Sequence, residues 1–195
     1  MELSWAKPRG LALFNDIKKG KRASCHPSTH KSPTNLLPIF TDFGYVALAV
    51  AQNPTCLSTA TGHSLISACV GRCAPIFEIT RSIAACSASP TLRNVALRKN
   101  DFHNGAMHSL RDVVEFYATR DVAPQKWYAR AAGKQVEQYD DLPATHWANV
   151  DVDVPPERHA DGRSRLSPSE VNDVVAFLGT LSDGYSGPAR QRSSR

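Results

Sequence analysis

The sequence predicts an all-α domain with long irregular loops. Three observations point there: two stretches open with helix-capping signals, a third near the start has helical spacing, and no alternating apolar pattern marks a strand ladder. At 195 residues, 42% hydrophobic and 21% charged, the chain reads as one globular domain large enough to bury a core.

The elements follow in order. "RGLALFND" has helical spacing that places Leu11, Phe14 and Ile17 on one side, and Gly20 stops it. Ser109-Leu-Arg-Asp112 reads as a capping box, with Leu110, Val113, Val114 and Tyr117 behind it at the i, i+3, i+4, i+7 spacing of a buried face. Ser167-Pro-Ser-Glu170 is a second box, with Pro168 at the first helical position. After it Val171, Val174, Val175, Leu178 and Leu181 form a stripe that ends at Asp183-Gly184. Between these two helices, residues 120–166 hold Pro, Asp, Gly and bulky aromatics without periodicity, which predicts a long loop with one short helix.

Charge and cysteines narrow the function classes. The net charge of +5 comes largely from "KKGKR" and "ARQRSSR". It is not interleaved with aromatics as a nucleic-acid platform requires, so it reads as solvated surface, and a basic binding module rests on charge alone. No apolar run is long enough to span a membrane. The opening "MELSWAKPRG" lacks the basic-then-apolar layout of an export signal, so the chain as written stays in the cytoplasm. Of the five cysteines, Cys56, Cys69, Cys73 and Cys86 have neither disulfide nor zinc spacing and read as free thiols.

The fifth, Cys25, precedes His26 in "KRASCHPS". A c-type haem is attached by Cys-x-x-Cys-His, two cysteines forming thioethers and the histidine ligating iron. Here the Cys-His end is present and Arg22 stands where the first cysteine belongs. On these residues alone, His26 is either an iron ligand or an imidazole in a Ser/Pro/Lys-rich surface loop.

The run "RGLALFNDIKKGKRASCHPS" resembles the start of the C-terminal haem domain of bacterial di-haem cytochrome c peroxidases, a family that includes the methylamine-utilisation maturation enzymes. "FTDFGY" (Phe40 to Tyr45), "PTLRNVALRKNDFHNG" (Pro90 to Gly105), "VVEFYATRD" (Val113 to Asp121) and "VNDVVAFLGTLSDGY" (Val171 to Tyr185) resemble further family blocks in the same order. The resemblance implies a cytochrome c-like domain over residues 1–185, followed by a disordered basic tail at 186–195.

Carried over position by position, it makes His26 the proximal haem-iron ligand and Cys25 the surviving thioether, with Arg22 in place of the other haem cysteine. One haem c is implied, held by a single thioether or not loaded. In the family's maturation-enzyme branch a tyrosine supplies the distal ligand, and Tyr117 matches it; in other members a methionine does, for which Met107 is the weaker alternative. Arg93 and Asn94 match positions near haem propionates or the inter-haem loop, and His103 matches a histidine near the second haem. Each also has a purely structural reading, as a loop or turn residue or, for Tyr117, a core tyrosine. Calcium is weakly implied, with Arg98 and Asn100 at the family's positions.

The implied partners are a small electron donor, cytochrome c or cupredoxin, and an N-terminal domain whose own haem binds peroxide. Nothing before Met1 provides that domain, so the chain reads as the electron-entry half. The family works in the periplasm, where hydrogen peroxide is reduced to water. Residues 55–88 depart from the family. It has text of the type "FFDLGLCGPLRTD…YCGMFR" there, whereas this chain has "TCLSTATGHSLISACVGRCAPIFEITRSIAACSA". Codon choices exist under which the DNA for "HSLISACVGRCAPIFEITRSIAACSA", read from each third base, encodes "FFDLGLCGPLRTDFRDHAEYCGMFR". A compensated pair of frameshifts accounts for that, and predicts low order from about residue 50 to 88. Two functions follow as alternatives: an impaired haem-binding electron-transfer domain, or a remnant without haem.

Overall fold

The computed structural model describes residues 3–29, 38–53, 55, 86–129, 135–152 and 162–184. Among the described residues three α-helices dominate: α1 (Leu3–Asn15), α2 (Leu110–Thr119) and α3 (Pro168–Leu178). Short 3₁₀ turns at Arg22–Ser24, Val95–Leu97, Pro124–Lys126, Ala144–Asn149 and Gly179–Leu181 punctuate the loops. A two-residue strand β1 (Tyr45–Val46) pairs antiparallel with β2 (Ser87–Ala88), in register Tyr45 to Ala88 and Val46 to Ser87. The fold is thus mostly helical, with one small ladder among the described residues that no alternating pattern announced.

Both predicted capping signals operate. The Ser109 hydroxyl accepts from the Asp112 N–H at 3.1 Å and donates to its carboxylate at 2.6 Å. Ser167 and Glu170 form a reciprocal box: the serine Oγ accepts the Glu170 N–H, and the Glu170 carboxylate accepts the Ser167 N–H at 2.8 Å. Each satisfies backbone donors that the first helical turn leaves without partners.

The main core lies where α1 crosses α3. Phe14, Phe40 and Phe177 form a triangle of rings with centroids 5.2–6.3 Å apart, within aromatic packing distance. Val171, Val174, Leu178 and Leu181 from the predicted α3 stripe are buried beside them, together with Val114 of α2. Gly10 makes the crossing close: a Cβ there would lie 2.0 Å from the Asp173 carbonyl oxygen. Arg9 closes the rim with a two-pronged pair to Asp173, both contacts 2.9 Å.

The predicted face of α1 needs correction. Phe14 is fully buried, but Leu11 is 39% and Ile17 75% exposed. Gly10 lets α3 come against the Gly10–Phe14 side, and Ile17 falls after the last helical residue, so the buried side is rotated from the one the apolar spacing suggested.

A second apolar cluster joins Val50, Ala51, Met107, Phe116 and Tyr128. Burial of Val50 and Ala51, and the pairing of Ser87–Ala88, show order at both edges of the 50–88 stretch, contrary to the expectation there. Most of that stretch, with Cys56, Cys69 and Cys73, lies outside the described residues, as does the tail 186–195. Among the described residues of the predicted long loop there are two 3₁₀ helices, Pro124–Lys126 and the six-residue Ala144–Asn149, where one short helix was expected.

Candidate functional site

The loop after α1 is one tight turn. Lys21 adopts a left-handed conformation (φ 46°), and the Cys25 and His26 N–H groups both donate to the Arg22 carbonyl, at 3.3 and 2.9 Å. Arg22, Cys25 and His26, at i, i+3 and i+4, therefore share one side of the turn. That side borders a small chamber of about 60 Å³, and Arg22 and His26 also border a larger cavity of about 620 Å³.

The larger cavity is mainly apolar. The α2 stripe read as a buried face, Leu110, Val113, Val114 and Tyr117, forms one wall; Leu48, Pro90, Leu92, Val95, Phe102 and Leu178 form others. Its volume falls within the roughly 300–1,000 Å³ of ligand pockets. The stripe thus has a second purpose: part of it faces an opening rather than another helix.

His26 is held in one tautomer. Its Nδ1–H donates to the Phe40 carbonyl at 2.9 Å, which fixes the tautomer and leaves the Nε2 lone pair without a hydrogen-bond partner among the described residues. Burial lowers its pKa despite the Phe40 bond, and nearby Arg22 lowers it further, so the imidazole is held neutral, the form that ligates a metal. Phe40 reaches this position with a φ of 54°, its ring in the core and its carbonyl on His26.

Tyr117 also borders both chambers. Burial raises its phenol pKa, only partly offset by Arg22, and the hydroxyl makes no hydrogen bond among the described residues. A core tyrosine normally satisfies its hydroxyl; this one is left open at the cavity. The Arg22 guanidinium lies 4.2 Å from the centroid of its ring.

The other expected residues divide. His103 borders the cavity, and its Nε2 meets the Asp141 carboxylate at 3.0 Å, a side-chain partner rather than the backbone bond of a turn histidine. Met107 is buried in the second apolar cluster, away from the cavity lining. Arg93 donates to the Pro38 carbonyl and lies over the Phe40 ring, while Asn94 bonds Asp183; neither lines the cavity, and both tie loops together. Arg98 and Asn100 do line it. Among the described residues no group of three or more His, Cys, Asp or Glu side chains is placed to hold a metal ion.

Three features went unread in the sequence. Cys86, raised in pKa by burial, borders the cavity beside β2. Buried Asp141 anchors both His103 and Asn104. Arg120, 3% exposed, donates to the Leu48 and Asp151 carbonyls at 2.9 and 2.8 Å while gripping Asp121, and so fastens the Leu48 wall to the end of α2. All depend on residues far apart in the chain, with no local spacing to betray them.

The porphyrin ring of a haem is apolar and its iron takes an imidazole nitrogen, so the walls and His26 suit it. The guanidinium of Arg22 is the one ill-matched group. No helix among the described residues is long and apolar enough to cross a membrane.

No protein-family model matches the chain, and no curated protein does. Among solved structures, it is similar to the di-haem peroxidase BthA from Burkholderia thailandensis E264, with TM-score 0.80 and 35% identity over 92% of this chain and 43% of that one. A tyrosine-to-methionine variant of that protein matches with TM-score 0.79 and 34% identity, over 92% and 42%. A MauG-like protein associated with microbial copper homeostasis aligns at TM-score 0.44 and 21% identity, over 91% and 47%, a likeness too low to carry weight. The chain spans less than half the length of each. The chain is thus a relative of the di-haem peroxidases that corresponds to one part of such a protein, as the order of its sequence blocks implied.

Proposed function

We propose that this chain is a haem-binding, electron-transfer domain of the di-haem peroxidase type, the C-terminal haem domain in that family's order. One observation carries the reading: His26, its Nδ1 tied to Phe40 and its Nε2 without a hydrogen-bond partner among the described residues, borders a mainly apolar cavity of about 620 Å³. When bound, haem supplies a one-electron centre.

The chain's own residues then have separate tasks. The Phe40 carbonyl orients the imidazole and raises its basicity through the Nδ1 hydrogen bond. Leu48, Val95, Val113 and Leu178 exclude water, and that low polarity is one of the protein's levers on a redox potential. Tyr117 would supply a second protein ligand to the iron in this reading, and burial keeps its phenol neutral. Cys25 gives the single thioether. The donor is a small cytochrome or cupredoxin, and the acceptor is a second, peroxide-reducing haem in the rest of a peroxidase, in the periplasm.

Haemin titration with a pyridine haemochrome assay tests this. The expected result is one haem per chain, with a Soret band that shifts in His26→Ala as the axial nitrogen is lost. No Soret band, or one identical in His26→Ala, overturns the ligand assignment. The second reading, a remnant that binds no haem, is favoured by one observation: a buried cation, Arg22, with no carboxylate partner among the described residues, on the cavity wall. The same titration decides between them.

A further inference from the structure

Two arginines are buried among the described residues, and they differ in how they are held. Arg120 is fixed by the Asp121 carboxylate and by the Leu48 and Asp151 carbonyls. Arg22, 9% exposed, has no carboxylate partner among the described residues. Its Nε is without a hydrogen-bond partner, its Nη2 reaches the Val114 carbonyl only at 3.5 Å, and its guanidinium rests on the face of Tyr117. Both of those contacts are on α2, whereas the Arg22 backbone lies in the turn that carries Cys25 and His26. The side chain therefore crosses the gap between the two elements that bear His26 and Tyr117. The chamber that Arg22, Cys25, His26 and Tyr117 border keeps about 60 Å³. At roughly 10–15 Å³ for each water, that is room for a few waters and for no ring.

We propose that Arg22 is a gate across the iron site: turned inward, as here, it bars the gap between His26 and Tyr117, and haem enters as it swings out to solvent. The gate rests on the reading of His26 and Tyr117 as iron ligands and deepens it. A haem ligated by both has to lie in the gap that Arg22 crosses. A cysteine at position 22 would end at the edge of the ring, whereas the longer arginine reaches past that edge to α2. The bar is held loosely enough to leave. A cation on an aromatic face is a modest attraction, and the outward position returns to water a charge that no carboxylate offsets inside. The way out is short, since Ser24 of the same turn is exposed.

Two measurements on the full 195-residue chain test this, both with haemin, so that iron and His26 take part. In the first, phenylglyoxal modifies accessible guanidinium groups, and peptide mass spectrometry reads Arg22. A bound ligand ordinarily protects the side chains that it covers, but a displaced gate does the reverse. Arg22 should therefore react several-fold faster in the haemin-loaded chain than in the haem-free one, while Arg120, gripped by Asp121, stays slow in both. The second is stopped-flow uptake of haemin, followed at the Soret band. Arg22→Ala keeps both ligands and empties the gap, and should take up haemin roughly tenfold faster than the parent, as an inward population of about 90% requires. Arg22 no more reactive in the loaded chain than in the haem-free one, or equal uptake rates, overturns the gate and leaves the haem reading standing; the phenylglyoxal comparison needs no variant. No Soret band in either the parent or Arg22→Ala overturns the haem reading and the gate with it.

Discussion

Arg22 is the residue on which most of this chain's chemistry turns. Its guanidinium pKa falls to about 10, chiefly through desolvation, only partly countered by Tyr117 and Cys25. Replacing a buried charge that has no carboxylate partner among the described residues with an apolar side chain removes that cost, so Arg22→Met should stabilise the haem-free chain by roughly 1 kcal/mol or more. Urea denaturation reads this; a loss of stability would mean that the Tyr117 contact outweighs desolvation. Arg22→Cys asks a different question. It recreates Cys-x-x-Cys-His over positions 22–26, and the turn already places residues 22, 25 and 26 on one side. Exported alongside c-haem maturation machinery, that variant should show more covalent haem on a denaturing haem-stained gel than the parent. A folded variant without that gain would mean that "KRASCHPS" is no recoverable attachment site.

The helices stand or fall on their crossing and their caps. Gly10→Ala puts a methyl within 2.0 Å of the Asp173 carbonyl, which a backbone atom cannot evade, so α1 and α3 must separate. A loss of roughly 2 kcal/mol or more is expected in urea denaturation, at the upper end for an overpacked core; an unchanged midpoint would show that the crossing is looser. At the start of α3, burial raises the Glu170 pKa, but the Ser167 N–H and Lys19 outweigh it and hold the carboxyl below the ordinary value of 4.5. Because the folded-state pKa is the lower one, this contribution is complete above about pH 4.5 and fades as pH falls through the folded value. Ser167→Ala should cost about 1 kcal/mol near neutral pH and lessen the loss toward acid. The same elements show what sequence can disclose. Both caps and the α3 stripe were legible because their causes lie within four residues of each other. The α1 face was misread because its cause is a glycine that fits another helix.

Across the whole molecule, the cavity draws its walls from the 22–26 turn, both short strands, the 90–103 loop, α2 and α3. His26 was legible through its motif and Tyr117 through helical spacing, but the ordered-block resemblance had to join them. Leu48, Cys86 and the Asp141 anchor were not legible, since only tertiary folding brings them near. Arg93 and Asn94 share their block with His103 yet point to loop contacts, so position in a familiar block did not guarantee a place at the cavity. Scale also sets the expected activity. The chain spans 43% of a relative described as a di-haem peroxidase and, in the reading proposed above, holds one of the two haems. Peroxide reduction takes two electrons, and in that reading the peroxide-binding haem lies in the remainder of such a protein. Loaded with haem, the purified 195-residue chain should therefore accept electrons from a reduced small cytochrome, seen as a Soret shift in stopped flow, yet show no peroxide-dependent oxidation of that cytochrome above the level of free haemin. Sustained turnover by this chain alone would place the peroxide chemistry at the His26 site, and the assignment of an electron-entry role would have to be abandoned.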